Sequence, residues 1–235
     1  MSEAAPTGYF TLGVSPEAYA LPHPRLGLPV ILLIRRVLCR AFAILREKEF
    51  RLAEGKEDEV TAALRAVIEN DLRQAGSIPG FNRRFYELVG RQGQVANSDG
   101  TRLAKAPDLC FKLRHDESEP RMVLSEFDAL FVECKPVDST HAAGGKYCDD
   151  GLIRFVRGDY AWAMQEGMML AYVRDGRTIA GHLIPAMSEP SRMRSLATVQ
   201  LPQPSRTPVD DRAEPIHMSK HHRAFSWPDK KGCTF

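Results

Sequence analysis

An α/β fold, with a central sheet flanked by helices, is predicted by three features of this sequence. Residues 30–53 and 57–74 repeat apolar side chains every three or four positions, the period of a helix with one buried face. Residues 127–135 instead alternate, so that Phe127, Ala129, Phe131, Glu133 and Lys135 share one face and Leu130, Val132 and Cys134 the other. Both of those faces are largely apolar, the mark of a central strand covered on two sides. Helix-like and strand-like stretches then succeed one another, which points to layers of both kinds in one unit.

With 235 residues, 43% of them hydrophobic and 26% charged, the chain suits a single folded domain with a full core. Residues 1–28 carry four prolines and little periodicity, and read as an irregular arm. Residues 29–56 hold an N-terminal helical extension, with Leu33, Val37, Ala41 and Leu45 at fourth-residue spacing and Gly55 as its stop. Residues 57–187 form the expected core. It opens with a helix over 57–74 whose buried stripe is Val60, Ala63, Leu64, Val67 and Ile68. A strand over 85–89, a polar hairpin connection over 94–102, a strand over 109–113 and the strand ending near Lys135 make a three-strand meander. Residues 137–151, with Gly144 and Gly145, read as loop; 159–172 as a helix; 178–184 as a fourth strand stopped by Pro185. Residues 188–235 form a C-terminal extension with short strands at 197–201 and around 216–223. The final residues begin another β-like run, which leaves room for a longer protein.

A net charge of +2 permits nucleic-acid binding without arguing for it. More informative are a cluster of Arg83, Arg84, Arg91, Arg102 and Lys105 and a basic run from Lys220 to Arg223. Solvated surface is the plain reading of each. The five cysteines are odd in number and show no Cys-x-x-Cys spacing. That suggests a reducing, cytoplasmic compartment and no zinc site. No signal peptide is visible. The apolar run from Leu28 to Ile34 is cut by Arg35 and Arg36, far short of a membrane span. Serine–histidine–acid nucleophile patterns and Gly-rich phosphate loops are not found.

The residues that ask for a reason are Asp108, Glu133 and Lys135. Residues two apart in a strand face the same side, so Glu133 and Lys135 point together, roughly 7 Å apart. A carboxylate and an ammonium on an apolar strand are either paired structurally or hold a metal and a substrate. Pro107-Asp108 and Glu133-Cys134-Lys135 resemble the motif of the PD-(D/E)xK nuclease superfamily, the restriction-endonuclease-like proteins, over roughly residues 57–185.

The resemblance implies a restriction-endonuclease-like core with a central mixed β-sheet, and Mg²⁺-dependent hydrolysis of DNA in restriction, defence or repair. Mn²⁺ would substitute for Mg²⁺. Asp108 and Glu133 would hold the ion, with the backbone carbonyl of Cys134 and an acid from the first core helix. Glu57 suits that place, with Glu59 and Glu69 as alternatives; compensation of the helix dipole explains Glu57 equally well. Lys135 would orient the attacking water. Gln165, on the helix expected after the Glu-x-Lys strand, would lie near metal or phosphate, or simply face solvent. Arg154 and Arg157 are candidate phosphate contacts, as are His221 and Arg223. The latter two share a face with His217 and Ser219 if that run is a strand, though an ordinary polar edge strand is the plainer reading. A homodimer would suit cleavage of two strands. The alternatives are an inactive nucleic-acid-binding protein of the same fold, or a structural protein in which these charges form a buried salt network.

Overall fold

The structure is a computed structural model and describes residues 21–81, 106–113, 123, 126–205 and 216–225. The expected strand at 85–89, the hairpin connection at 94–102 and the basic cluster at 83–105 lie outside the described residues. The fold is mixed α/β. Helix α1 (Leu28–Glu47) starts with Pro29 in its first turn, where a missing N–H costs nothing. It buries Val37, Ala41 and Leu45 of the predicted stripe, with Val30, Ile34, Leu38 and Ile44, while Leu33 is half-buried. It ends sooner than expected, because Glu49 turns to φ 55° well before Gly55.

Helix α2 (Glu57–Ala66) runs on into a wide π-helical stretch, Val67–Arg73. The three acids of its first turn favour the helix dipole, and Lys56 N–H donates to Glu59 Oε2 at 3.0 Å. Val60, Leu64, Val67, Ile68 and Leu72 are buried along one side.

Strand β1 (Leu109–Lys112) pairs antiparallel with β2 (Ala129–Val137), Leu109 opposite Val132 and Phe111 opposite Leu130. Strand β3 (Met168–Val173) pairs parallel with the other edge of β2, Glu133 opposite Met169 and Lys135 opposite Ala171. The sheet is therefore mixed, in the order β1-β2-β3. All nine residues of β2 are buried, as a strand covered on both faces requires. Because β2 continues through Pro136 and Val137, Glu133 and Lys135 lie within the strand, not at its end.

One face of the sheet meets α1 and α2. Tyr172 of β3 stacks edge-on with Phe42 at 5.7 Å and shares a 2.8 Å hydrogen bond with Thr61. The other face is covered by the helical crossover from β2 to β3, a wide π-helical stretch (Ala143–Leu152) leading into α3 (Ile153–Arg157). This corrects the loop expected over 137–151. Glycine weakens a helix, but here close approach decides. A Cβ on Gly144 would sit 2.7 Å from the Arg192 guanidinium carbon, and one on Gly151 would sit 2.7 Å from Met169 Cε and 3.2 Å from Lys135 Cγ.

The helix expected over 159–172 is also corrected. Tyr160 to Met164 form a buried turn with Ala161 at φ 53°, and 168–173 is β3. Their apolar residues fill the core as Trp162 does, 4.8 Å from Phe127 ring to ring, so a short apolar run read as a helical stripe was strand and turn. The expected strand over 178–184 is helical instead. Thr178 accepts from Gly181 N–H at 3.0 Å, opening Ile179–Leu183 and then α4 (Ile184–Met187), with α5 (Pro190–Ser195) after it. Last come β4 (Thr198–Pro204) and β5 (His217–His221), a two-stranded antiparallel pair close to where short strands were expected.

Candidate functional site

The charged cluster lies on the crossover side of β2 and draws on three further segments. Lys135 Nζ is 2.6 Å from Glu57 Oε1, 2.9 Å from Glu133 Oε1 and 4.0 Å from Asp108 Oδ2. Those last two distances put Asp108 Oδ2 and Glu133 Oε1 no more than about 7 Å apart, both beside the Lys135 ammonium. Helix α2 brings Glu57 in from its first turn. Of the three candidate acids it is the one that meets Lys135: Glu59 folds back on Lys56 N–H, and Glu69 pairs with Arg73 at 2.7 Å.

Asp108 precedes β1 and is placed by the backbone of β2. Cys134 N–H donates to its Oδ2 at 2.6 Å. Its other oxygen has no hydrogen-bond partner among the described residues. Burial first, then the nearby charge of Glu133, push its carboxyl up to about 6, against the pull of the Cys134 bond and Lys135. The thiol of Cys134 turns to the opposite face beside Tyr172 and Thr61, and burial holds it well above the ordinary thiol range.

Glu133 is fully buried, with its side chain 0% exposed. Oε1 accepts from both Lys135 and Arg154 Nη1, each at 2.9 Å, and Oε2 accepts a short hydrogen bond from the Tyr160 hydroxyl. Burial pulls the Lys135 ammonium down, yet Glu133, Glu57 and Asp108 together carry it above its usual value. Arg154 is likewise held charged beside Glu133 despite partial burial. Burial, then Glu133, push the Tyr160 phenol up, so it remains a hydrogen-bond donor at any ordinary pH.

Tyr160 is the site residue that sequence reasoning missed. Its signal was faint, because a tyrosine in an apolar stretch is ordinarily core. Its ring does pack at 5.2 Å against Phe155, and only its hydroxyl reaches the cluster.

Other expected site residues are placed elsewhere. Gln165 is bound to the arm before α1: its Nε2 donates to the His23 carbonyl at 2.8 Å, and its Oε1 accepts from Arg25 at 2.9 Å. It is not on a helix, and Arg154 on α3 fills the position beside Glu133. His217, Ser219, His221 and Arg223 do share a face, but that face turns inward. His221 Nδ1 donates to the Leu196 carbonyl at 2.9 Å, which leaves Nε2 to accept from Ser219 Oγ at 2.9 Å. Burial depresses the His221 imidazole and lowers Arg223 to about 10. Arg223 donates to the Phe155 carbonyl and, at 2.8 Å, to that of Met164. Arg223 thereby holds the β4–β5 pair to α3, while His221 ties β5 to the residue that follows α5. The outward face carries Lys220 and His222, while Arg157 and Arg194 are exposed near by.

The acids Glu57, Asp108 and Glu133 outnumber the cations Lys135 and Arg154 by one. That excess, together with the under-compensated Asp108, suits a hard cation. Among the described residues no group of three or more His, Cys, Asp or Glu side chains is arranged around a single ion position. Mg²⁺ is usually held by one or two carboxylates plus water and substrate oxygens, and Asp108 and Glu133 are the two acids of this cluster that the strands supply. No helix of the described residues is long and apolar enough to cross a membrane. Compared with known proteins, the chain matches no family model, no curated protein and no solved structure.

Proposed function

We propose that this chain is a Mg²⁺-dependent deoxyribonuclease of the PD-(D/E)xK kind, hydrolysing phosphodiester bonds at the Asp108–Glu133–Lys135 cluster. One observation carries the reading: residues from α2, the mouth of β1 and the middle of β2 converge on Lys135 Nζ with an acid in excess.

Asp108 and Glu133 are the residues that would hold the ion, with Glu57 and the Cys134 carbonyl as further oxygen donors. When bound, Mg²⁺ would lower the pKa of a water and offset charge on the phosphate oxygens. Lys135, kept protonated by its acid neighbours, orients the attacking water and stabilises charge that develops on phosphorus-bound oxygen. The Tyr160 hydroxyl holds Glu133 in one orientation. Arg157, Lys220 and Arg194 offer exposed positive charge for the rest of a nucleic-acid strand.

A nicking assay on supercoiled plasmid with Mg²⁺, Mn²⁺ or chelator tests this. The wild-type protein should nick only with metal. Asp108→Asn and Lys135→Ala, checked for folding by circular dichroism, should bind DNA without nicking it.

A second reading has its own support. Glu133 is buried with both oxygens hydrogen-bonded, as in a structural salt network. Calorimetry showing no heat with Mn²⁺, and no nicking, would favour it.

A further inference from the structure

Arg154 and Lys135 sit on the same oxygen of Glu133 but are held very differently. The Lys135 side chain is 5% exposed and fixed between Glu57 and Glu133. The Arg154 side chain is 36% exposed, at the rim, on a short helix. Its contacts within the cluster are Glu133 and the Tyr160 hydroxyl. It can swing away without moving backbone, whereas Lys135 cannot leave without emptying a buried position.

The charge balance says when it should leave. With both cations in place the cluster is short of neutrality by one positive charge. A divalent cation between Asp108 and Glu133 would overshoot by one, and the closest positive charge on Glu133 that is free to go is the Arg154 guanidinium. We propose that Arg154 is an exchangeable counter-ion of Glu133: it neutralises the carboxylate while no divalent cation is bound, and transfers to a phosphodiester when one is. The inference rests on the metal-dependent reading above and adds a division of labour to it. Arg157 lies three residues along α3, on the same side of the helix. A released Arg154 joins it to make a two-guanidinium receptor for phosphate, a group that arginine recognises well. Divalent cation and nucleic acid then each weaken the Arg154–Glu133 contact, so each must promote binding of the other by the same factor.

Calorimetry with Mn²⁺, without nucleic acid, tests this on the full chain. Arg154→Met keeps the stem and removes the competing charge. It should bind Mn²⁺ at least about fivefold more tightly than wild type, the low end of ordinary coupling factors. A variant that binds Mn²⁺ as the wild type does, or more weakly, overturns the exchange while leaving a metal site in place. Binding by neither protein sinks the exchange and the metal reading together. Should Arg154→Met fail to fold, Arg154→Lys carries the test. Lysine keeps the charge but loses the planar fork, so tighter Mn²⁺ binding is again expected and unchanged affinity overturns the proposal. Titration of wild type with a short DNA duplex, with and without Ca²⁺ in place of Mg²⁺, supplies the second arm. Affinity should rise with Ca²⁺ in wild type and not in Arg154→Met; a rise of equal size in both also overturns it.

Discussion

Asp108 Oδ2 accepts the backbone N–H of Cys134 at 2.6 Å, which fastens a carboxylate from the mouth of β1 to the middle of β2. The bond spans two antiparallel strands and depends on no side chain but the aspartate's own. Asp108 is therefore positioned by the sheet before any ligand arrives, as a site built on rigid elements should be. Positioning comes with strain in charge: the carboxyl is buried near Glu133 and is pushed up to about 6.

That shift has a sign that can be checked. A carboxyl with a raised folded-state pKa adds stability when protonated, below its ordinary value near 4, and loses it as pH rises through about 6. Asp108→Asn keeps the acceptor for Cys134 and removes the charge. In chelator at pH 8 its melting temperature should exceed the wild type's by roughly 6–12 °C, given about 1.4 kcal/mol per pKa unit and 2–4 °C per kcal/mol at this size. At pH 4 the two should melt together. A gap of the same size at both pH values would show that charge is not the cause.

How far these features were legible in the sequence depends on what each residue answers to. The stripe of α1 and the two-sided burial of β2 follow from local periodicity, and both are observed. Glu133 and Lys135 sharing a face is a consequence of strand geometry, and Glu57 was placed correctly at the edge of the α2 stripe. Gly144 and Gly145 suggest a loop, because glycine counts against a helix, yet at Gly144 the side chain of Arg192 fills the space a Cβ would take. Tyr160 and Trp162 were read as a helical stripe because burial on all sides has no period. The face shared by His221 and Arg223 was legible, but which side of the β4–β5 pair met α3 was not. Each failure is one of long-range packing, which a local pattern does not encode.

Tyr160→Phe isolates one hydroxyl. The ring keeps its packing on Phe155, but Glu133 Oε2 loses its donor inside the protein. An unsatisfied buried acceptor costs about 1–3 kcal/mol, so the melting temperature should fall by roughly 2–12 °C. Tyr160 reaches the cluster through its hydroxyl on Glu133, so a large loss of nicking in a still-folded Tyr160→Phe protein would mean that Glu133 has turned. A crystal structure of the variant would show it.

Gly151→Ala tests the close approach of the crossover helix. Its Cβ would meet Met169 Cε at 2.7 Å and Lys135 Cγ at 3.2 Å. The methionine end can move aside; the lysine stem, fixed at its ammonium by two acids, gives less. Stability should fall by about 1–2 kcal/mol, as for mild overpacking, with nicking reduced well beyond what the loss of folded protein explains. Full activity per folded molecule would mean that Lys135 tolerates displacement and is not a positioned group.

The two faces of β5 separate binding from folding. Lys220 and His222 point to solvent, whereas His221 and Arg223 are spent on carbonyl and hydroxyl partners. Lys220→Ala should leave the melting temperature within about 1 °C, because surface substitutions away from packing rarely exceed 0.5 kcal/mol. It should weaken DNA binding and lower the salt dependence of affinity by about one released counter-ion. Arg223→Met should do the reverse. It leaves the Met164 carbonyl without its donor and loosens the β4–β5 pair from α3, so stability should drop by about 1–3 kcal/mol. Its salt slope for DNA should stay that of wild type when measured where the protein remains folded. If Arg223→Met instead lowers the slope and Lys220→Ala does not, the inward row reaches phosphate after all, and the surface assigned to nucleic acid is on the wrong side of the hairpin.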